Sequence, residues 1–121
     1  MRDVKFKAYT PNGMVDVIII NTVTKMARFQ DEVLGIQDFS IEESPLLQYT
    51  GFKDKNDKEI YEGDIVKCEE SDITCKVIFQ KSAMFMLEWK GNDELQHYGL
   101  EAFTLEVIGN IYENAELLEE N

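Results

Sequence analysis

A chain of 121 residues, 44% of them apolar, has the length for one hydrophobic core, which excludes a wholly disordered polymer and leaves no material for a second core. Its 24 Asp and Glu outnumber 12 Lys and Arg, and the resulting net charge of −12 argues against generic DNA or RNA binding, which works by Lys and Arg displacing phosphate counterions. The longest apolar run, residues 17–20, is far below the roughly 20 residues of a membrane-spanning helix, and the opening MRDVKFKAYTP lacks the apolar stretch of a signal peptide.

In chain order the dominant period is two. Val4, Phe6 and Ala8 alternate with Lys5, Lys7 and Tyr9, the pattern of a half-buried strand. Thr10-Pro11-Asn12-Gly13 marks a turn, and residues 15–21, β-branched at almost every position except Asp16, read as a second strand closing an N-terminal hairpin. Met26 to Phe29 reads as a third short strand. Residues 30–41 show no clear period and end near Pro45, which biases Ser44 away from helix.

Leu46 to Tyr49 is again strand-like. The polar run of residues 53–58 reads as a solvent-exposed turn, with Asn56-Asp57 tolerant of positive φ. Glu62-Gly63-Asp64 makes a second tight turn into the alternating Ile65-Val66-Lys67-Cys68, an arrangement that opens small SH3-like barrels. Further strands are expected over 74–80, 84–89 and 95–98, with turns at Lys81-Ser82-Ala83 and Gly91-Asn92-Asp93. A closing strand runs through Leu105, Val107 and Ile108 to Tyr112, and Asn114 is positioned to cap a short helix through Ala115, Leu117 and Leu118. The glutamates at 119 and 120 oppose that helix dipole, so it should be short.

Three segments carry a resemblance. Lys5-Phe6-Lys7-Ala8-Tyr9 is similar to the opening strand of the YopX family. The central motif of that family is matched by Gln48-Tyr49-Thr50-Gly51 and by residues 53–56 and 58–66. Val107-Ile108-Gly109-Asn110-Ile111-Tyr112-Glu113-Asn114 matches its closing motif. Asp57 stands where the family typically carries Gly, and Ala115 where Pro is common at the first helical position. The resemblance implies a phage or prophage of a Gram-positive bacterium as the source, a mostly β fold with an SH3-like C-terminal part, and no known catalytic residues. Together with the strand pattern it gives a β-rich α+β fold. Residues 1–45 form an N-terminal β unit packed on an SH3-like barrel over 46–121 with a short C-terminal helix, all one folding unit.

Chemistry-bearing residues are few. An EF-hand loop started at Asp54 would place Lys58 at the fifth ligand position and Glu59 at the obligatory glycine, so the segment is a hairpin tip rather than a calcium site. His97 is the only histidine; with Cys68 and Cys75 seven apart it makes neither a zinc spacing nor a disulfide framework, and a nucleophilic cysteine would need His97 delivered to it by the fold. The period-two neighbours of the cysteines point one or both into the core. No phosphate loop, GxSxG or HExxH is present, and no metal or cofactor is expected. Asp64 is suited to accept backbone N–H bonds in its turn. Tyr49 and Tyr61 read as core or intersubunit aromatics, and Trp89, near a turn, is the candidate binding anchor.

The expected function is a non-catalytic phage accessory protein that binds a host or phage protein in the bacterial cytoplasm, with Trp89, Tyr49, Tyr61 and Asp64 as binding candidates. Edge strands leave room for a homo-oligomer. Two other classes stand beside it: an acidic decoy occupying the DNA-binding surface of a host protein, and an enzyme acting through Asp54, Asp57 and Asp64.

Overall fold

The computed structural model describes residues 5–11, 13–79, 84–91 and 94–119. These residues form an almost purely β protein divided into two compact units, residues 1–49 and 50–121. The turns expected at Asn12, Lys81-Ser82-Ala83 and Asn92-Asp93 lie outside the described residues.

In the first unit β1 (Phe6–Thr10) pairs antiparallel with β2 (Gly13–Asp16), and Thr10 Oγ1 closes the hairpin by donating to the Gly13 carbonyl at 3.0 Å. Ala8 and Thr10 are buried while Tyr9 faces out, the alternation that the sequence carries. The expected strand over 15–21 is broken in two. Val17 donates its N–H to Phe6 at 3.0 Å, whereas Ile18 donates to Arg28 at 2.8 Å, so the chain changes bonding partner between adjacent residues and continues as β3 (Ile19–Asn21).

A second sheet, β3-β4-β5, is built on β4 (Met26–Asp31) and β5 (Gly35–Ser40). Residues 30–41 showed no period because β5 turns Ile36 outward, and half-buries Gln37 beside the half-buried Phe39, so apolar and polar residues occupy both faces. Its hairpin is set by Asp31, whose carboxylate accepts the N–H groups of Val33 (2.7 Å) and Leu34 (2.8 Å). Asn21 does the same for Val23 and Thr24 at the other end of β4. Phe29 is buried, its ring 5.9 Å from that of Phe39.

β6 (Leu46–Lys53) runs across the division between units; Leu46, Leu47 and Gln48 pair with β1. In the second unit Thr50 Oγ1 donates to the Ile60 carbonyl of β7 (Glu59–Tyr61) at 2.7 Å. The turn between them is not the fully exposed tip that its composition implies. Asp54 is buried: Oδ1 accepts the N–H groups of Asn56 (2.8 Å) and Lys58 (2.9 Å), and Oδ2 that of Val107 (2.9 Å).

Five antiparallel strands complete this unit: β8 (Asp64–Cys68), β9 (Ile73–Phe79), β10 (Phe85–Gly91), β11 (Glu94–Gly99) and β12 (Leu105–Asn110), in the order β11-β10-β9-β8-β12. The sheet curls into a half-barrel. Its core gathers Ile60, Val66, Cys68, Cys75, Val77, Leu87, Leu100 and Leu105. Gly63, at φ +88°, leads into β8; its N–H reaches the Val77 carbonyl at 2.8 Å and its carbonyl accepts Ile111 N–H at 2.9 Å.

The C-terminal helix is reduced to a single 3-10 turn, Ala115–Leu118. Asn114 makes no side-chain cap; its Oδ1 instead accepts the N–H of Asn110 at 3.2 Å, while Asn110 Oδ1 accepts those of Tyr112 and Glu113. The two asparagines therefore build a turn where the sequence pattern suggests a helix start. Ile111 and Tyr112 lie in that turn, past the end of the closing strand. Among the described residues no helix is long and apolar enough to cross a membrane.

Candidate binding pocket

Two hairpins and one irregular turn of the second unit enclose a pocket. The first hairpin joins β8 to β9 through Glu69–Asp72, with Cys68 opposite Ile73 and Val66 opposite Cys75. Asp72 adopts φ +57° and donates its N–H to the Cys68 carbonyl at 2.8 Å, closing the loop. This register puts Cys68 and Cys75 on the same inward face as diagonal neighbours, and their sulfurs stand 3.8 Å apart.

The second hairpin pairs Leu87 with Tyr98 and Trp89 with Gln96. Trp89 and Tyr98 are thus diagonal neighbours too, and their rings stack at 4.9 Å with planes 14° apart. After β11 the 3-10 turn Leu100–Ala102 bends the chain back, so that Phe103 meets Tyr98 edge-on at 5.7 Å. The result is a pocket of about 230 Å³ lined by Cys68, Ser71, Ile73, Cys75, Trp89, Tyr98 and Phe103.

The β8–β9 loop, which contributes Ser71 to the pocket, is braced across the chain. Glu70 accepts both the N–H and the hydroxyl of Thr104 at 2.9 Å, and Glu69 donates its N–H to the Thr104 carbonyl at 3.0 Å. The Thr104 N–H holds the Glu70 carboxyl below the ordinary value. These bonds tie the β8–β9 loop to the residue after Phe103.

Of the four binding candidates singled out in the sequence, only Trp89 lies in this pocket, where it is half-buried; Cys68 and Cys75, weighed there as nucleophiles, line it as well. Tyr61 and Asp64 are brought together elsewhere: Asp64 Oδ2 accepts the Tyr61 N–H at 2.8 Å, and the buried Tyr61 donates its hydroxyl to Glu59 at 3.3 Å. Tyr49 is buried in the first unit with the Lys5 ammonium 5.5 Å above its ring. Asp57 is exposed, its carboxylate 3.8 Å from Lys53.

His97 is on the outward face of the half-barrel, in a row with Glu88 and Lys76 across β11, β10 and β9. Glu88 bonds His97 Nε2 at 2.9 Å and Lys76 Nζ at 3.1 Å. Burial opposes its charge, but these two partners prevail and hold its carboxyl below the ordinary value. The fold therefore pairs the histidine with a glutamate and sets it on the face opposite the two thiols. Among the described residues no three His, Cys, Asp or Glu side chains cluster as a metal site.

Tyr98, Phe103, Ser71 and Ile73 were not legible as site residues. Pairing the expected strands 84–89 and 95–98 as a hairpin could have found Tyr98, since the register sets it diagonally beside Trp89. Nothing local announces Phe103, whose place depends on the 3-10 turn before it.

The profile of the YopX family, described as YopX protein, matches residues 5–119, nearly the whole chain. The chain belongs to the YopX family. Among solved structures it is similar to protein EF1440 from Enterococcus faecalis, at 21% identity and a TM-score of 0.56, over 98% of this chain and 99% of that one. That likeness extends the shared fold to almost every residue of both chains. No curated protein matches the sequence. Within the matched span Asp57 adopts a positive φ, +66°, the conformation that a glycine favours.

Proposed function

We propose that this protein is a non-catalytic phage or prophage accessory module that binds another protein, seating an apolar side chain of a basic segment in the Trp89–Tyr98–Phe103 pocket. The observation that carries the reading is the pocket itself. It has aromatic walls and a size suited to one large side chain, and aromatic residues dominate binding energetics at such sites.

Charge supports the nature of the partner. Residues 50–121 hold 17 Asp and Glu against seven Lys, so most of the net negative charge belongs to the unit with the pocket. A basic segment would be drawn toward it and a phosphate backbone repelled. The non-catalytic part of the reading is supported by the carboxylates. Asp54 accepts three backbone N–H groups and Asp64 one, which is scaffolding work.

The test is a pull-down from nuclease-treated host lysate at low and high salt, comparing the wild-type chain with Trp89→Ala and Tyr98→Ala. One protein retained by the wild type, weakened by salt and lost from both variants, is the expected result. Equal retention by the variants sinks the pocket as the binding site. If the retained protein is a basic DNA-binding one held equally by the variants, the acidic decoy replaces this reading.

A further inference from the structure

We propose that Cys68 and Cys75 form a two-thiol capture site at the floor of the same pocket, taking a trivalent thiophilic ligand of the organoarsenical type as a neutral, sulfur-bridged adduct. The proposal rests on the pocket's geometry and not on the protein-binding reading.

Sulfur spacing selects the kind of ligand. With the two sulfurs 3.8 Å apart, an atom bonded to both at about 2.3 Å, a usual thiolate bond length, subtends an angle of roughly 110°. That suits a centre with three or four bonds. A linear two-coordinate ion would need sulfurs about 4.6 Å apart, twice that bond length. A direct disulfide is also disfavoured. Diagonal residues across an antiparallel pair have Cα atoms about 7–8 Å apart, at or beyond the roughly 7 Å that a disulfide spans without backbone movement. A bridging atom fits the sulfurs where they are.

The surroundings select a neutral product. Apart from Ser71 the walls are aromatic and aliphatic, so a charged adduct would be costly to desolvate while an aryl substituent would lie against Trp89 and Tyr98. Among the described residues no third His, Cys, Asp or Glu joins the pair, so the ligand must bring its own remaining substituent. The thiols are also unequal. The bond from Cys75 lowers the Cys68 thiol, and the same bond together with burial raises that of Cys75.

With an arsenoxide the step balances without redox change. Two S–H bonds and the arsenic–oxygen bond break, two arsenic–sulfur bonds form, and the oxygen leaves with both thiol protons as water. Arsenic stays trivalent throughout.

The experiment titrates the reduced, folded protein with phenylarsine oxide, read by native mass spectrometry and by the emission of Trp89, the only tryptophan of the 121-residue chain. A one-to-one adduct formed with loss of one water is expected. It should change Trp89 emission, be reversed by 2,3-dimercaptopropanol, and block both cysteines from N-ethylmaleimide when labelling is done in denaturant, where the free chain exposes these otherwise buried thiols. Cys68→Ser and Cys75→Ser should each weaken capture at least ten-fold. Adduct formation only at the rate of global unfolding overturns the proposal, as does an adduct that leaves either thiol open to the maleimide. The shielding test uses the wild-type chain alone and so stands even where a serine variant fails to fold.

Discussion

The carboxylate of Asp54 accepts the backbone N–H of Val107, 53 positions later, at 2.9 Å, while its other oxygen closes its own turn onto Asn56 and Lys58. One side chain thus fixes the β6–β7 connection and fastens it to the closing strand. The adjacent bond from Lys55 N–H to the Leu105 carbonyl, at 2.8 Å, continues that seam.

Removing this carboxylate should be among the most damaging single changes in the second unit. Hydrogen bonds to a charged acceptor contribute roughly 1.5–3 kcal/mol each, and three N–H groups lose theirs together. Asp54→Ala should cost about 2–4 kcal/mol after partial rescue by water, and Asp54→Asn, which keeps one acceptor oxygen, about 1–2 kcal/mol. Burial works against the ionised form, but the N–H groups of Val107, Lys58 and Asn56 outweigh it and hold the carboxyl below its ordinary value in the folded chain. On acidification the unfolded chain therefore takes up this proton first. The contribution is whole above the ordinary carboxylate range near pH 4 and fades as pH falls through the folded value. Urea titrations from pH 7 to pH 2.5 should show a shallower acid limb for Asp54→Asn than for the wild type. Parallel curves would remove the assignment.

Asp57 offers a test of opposite sign. It holds φ +66°, which costs an ordinary L-residue roughly 1–2 kcal/mol, somewhat less for Asp. Glycine relieves that strain and returns part of the gain as unfolded-chain entropy. Asp57→Gly should stabilise by about 0.5 kcal/mol, and Asp57→Val should destabilise, because a β-branched side chain tolerates this backbone poorly. Thermal melts of the three proteins decide it, and a lower melting temperature for the glycine variant would be the wrong order.

Gly109 is constrained by closeness rather than by φ. A Cβ placed there would lie 2.6 Å from Asn114 Oδ1, the atom that accepts the Asn110 N–H. Gly109→Ala should push Asn114 away and loosen the turn after β12, at a cost of about 1–3 kcal/mol. Hydrogen exchange at Asn110 reads this directly: faster exchange is expected in the variant, and unchanged protection would show that the neighbour yields freely.

Much of the fold was legible because β-structure writes itself locally. Alternation placed β1, β4, β8 and β9 within a residue or two. Turn residues placed the bends at Gly63 and Asp57, where only backbone conformation had to be anticipated. The misreadings share a cause. Residues 17–20 are all β-branched, so nothing local marks the point at which Ile18 abandons β1 for β4. Asn114 looks like a helix cap, but its side chain is claimed by Asn110, four residues back.

The sequence by itself determined the family, the strand-rich class and the alternating faces, since each follows from neighbours in the chain or from motifs such as residues 58–66. Period two assigns side chains to two faces but does not say which face is enclosed or how far a sheet bends. Only the curl of the five-stranded sheet decided that Cys68, Cys75, Trp89, Tyr98 and Phe103 share one pocket and that His97 lies on the opposite face. Those contacts join residues up to 35 positions apart, and their geometry is set by twist and packing accumulated over the whole unit.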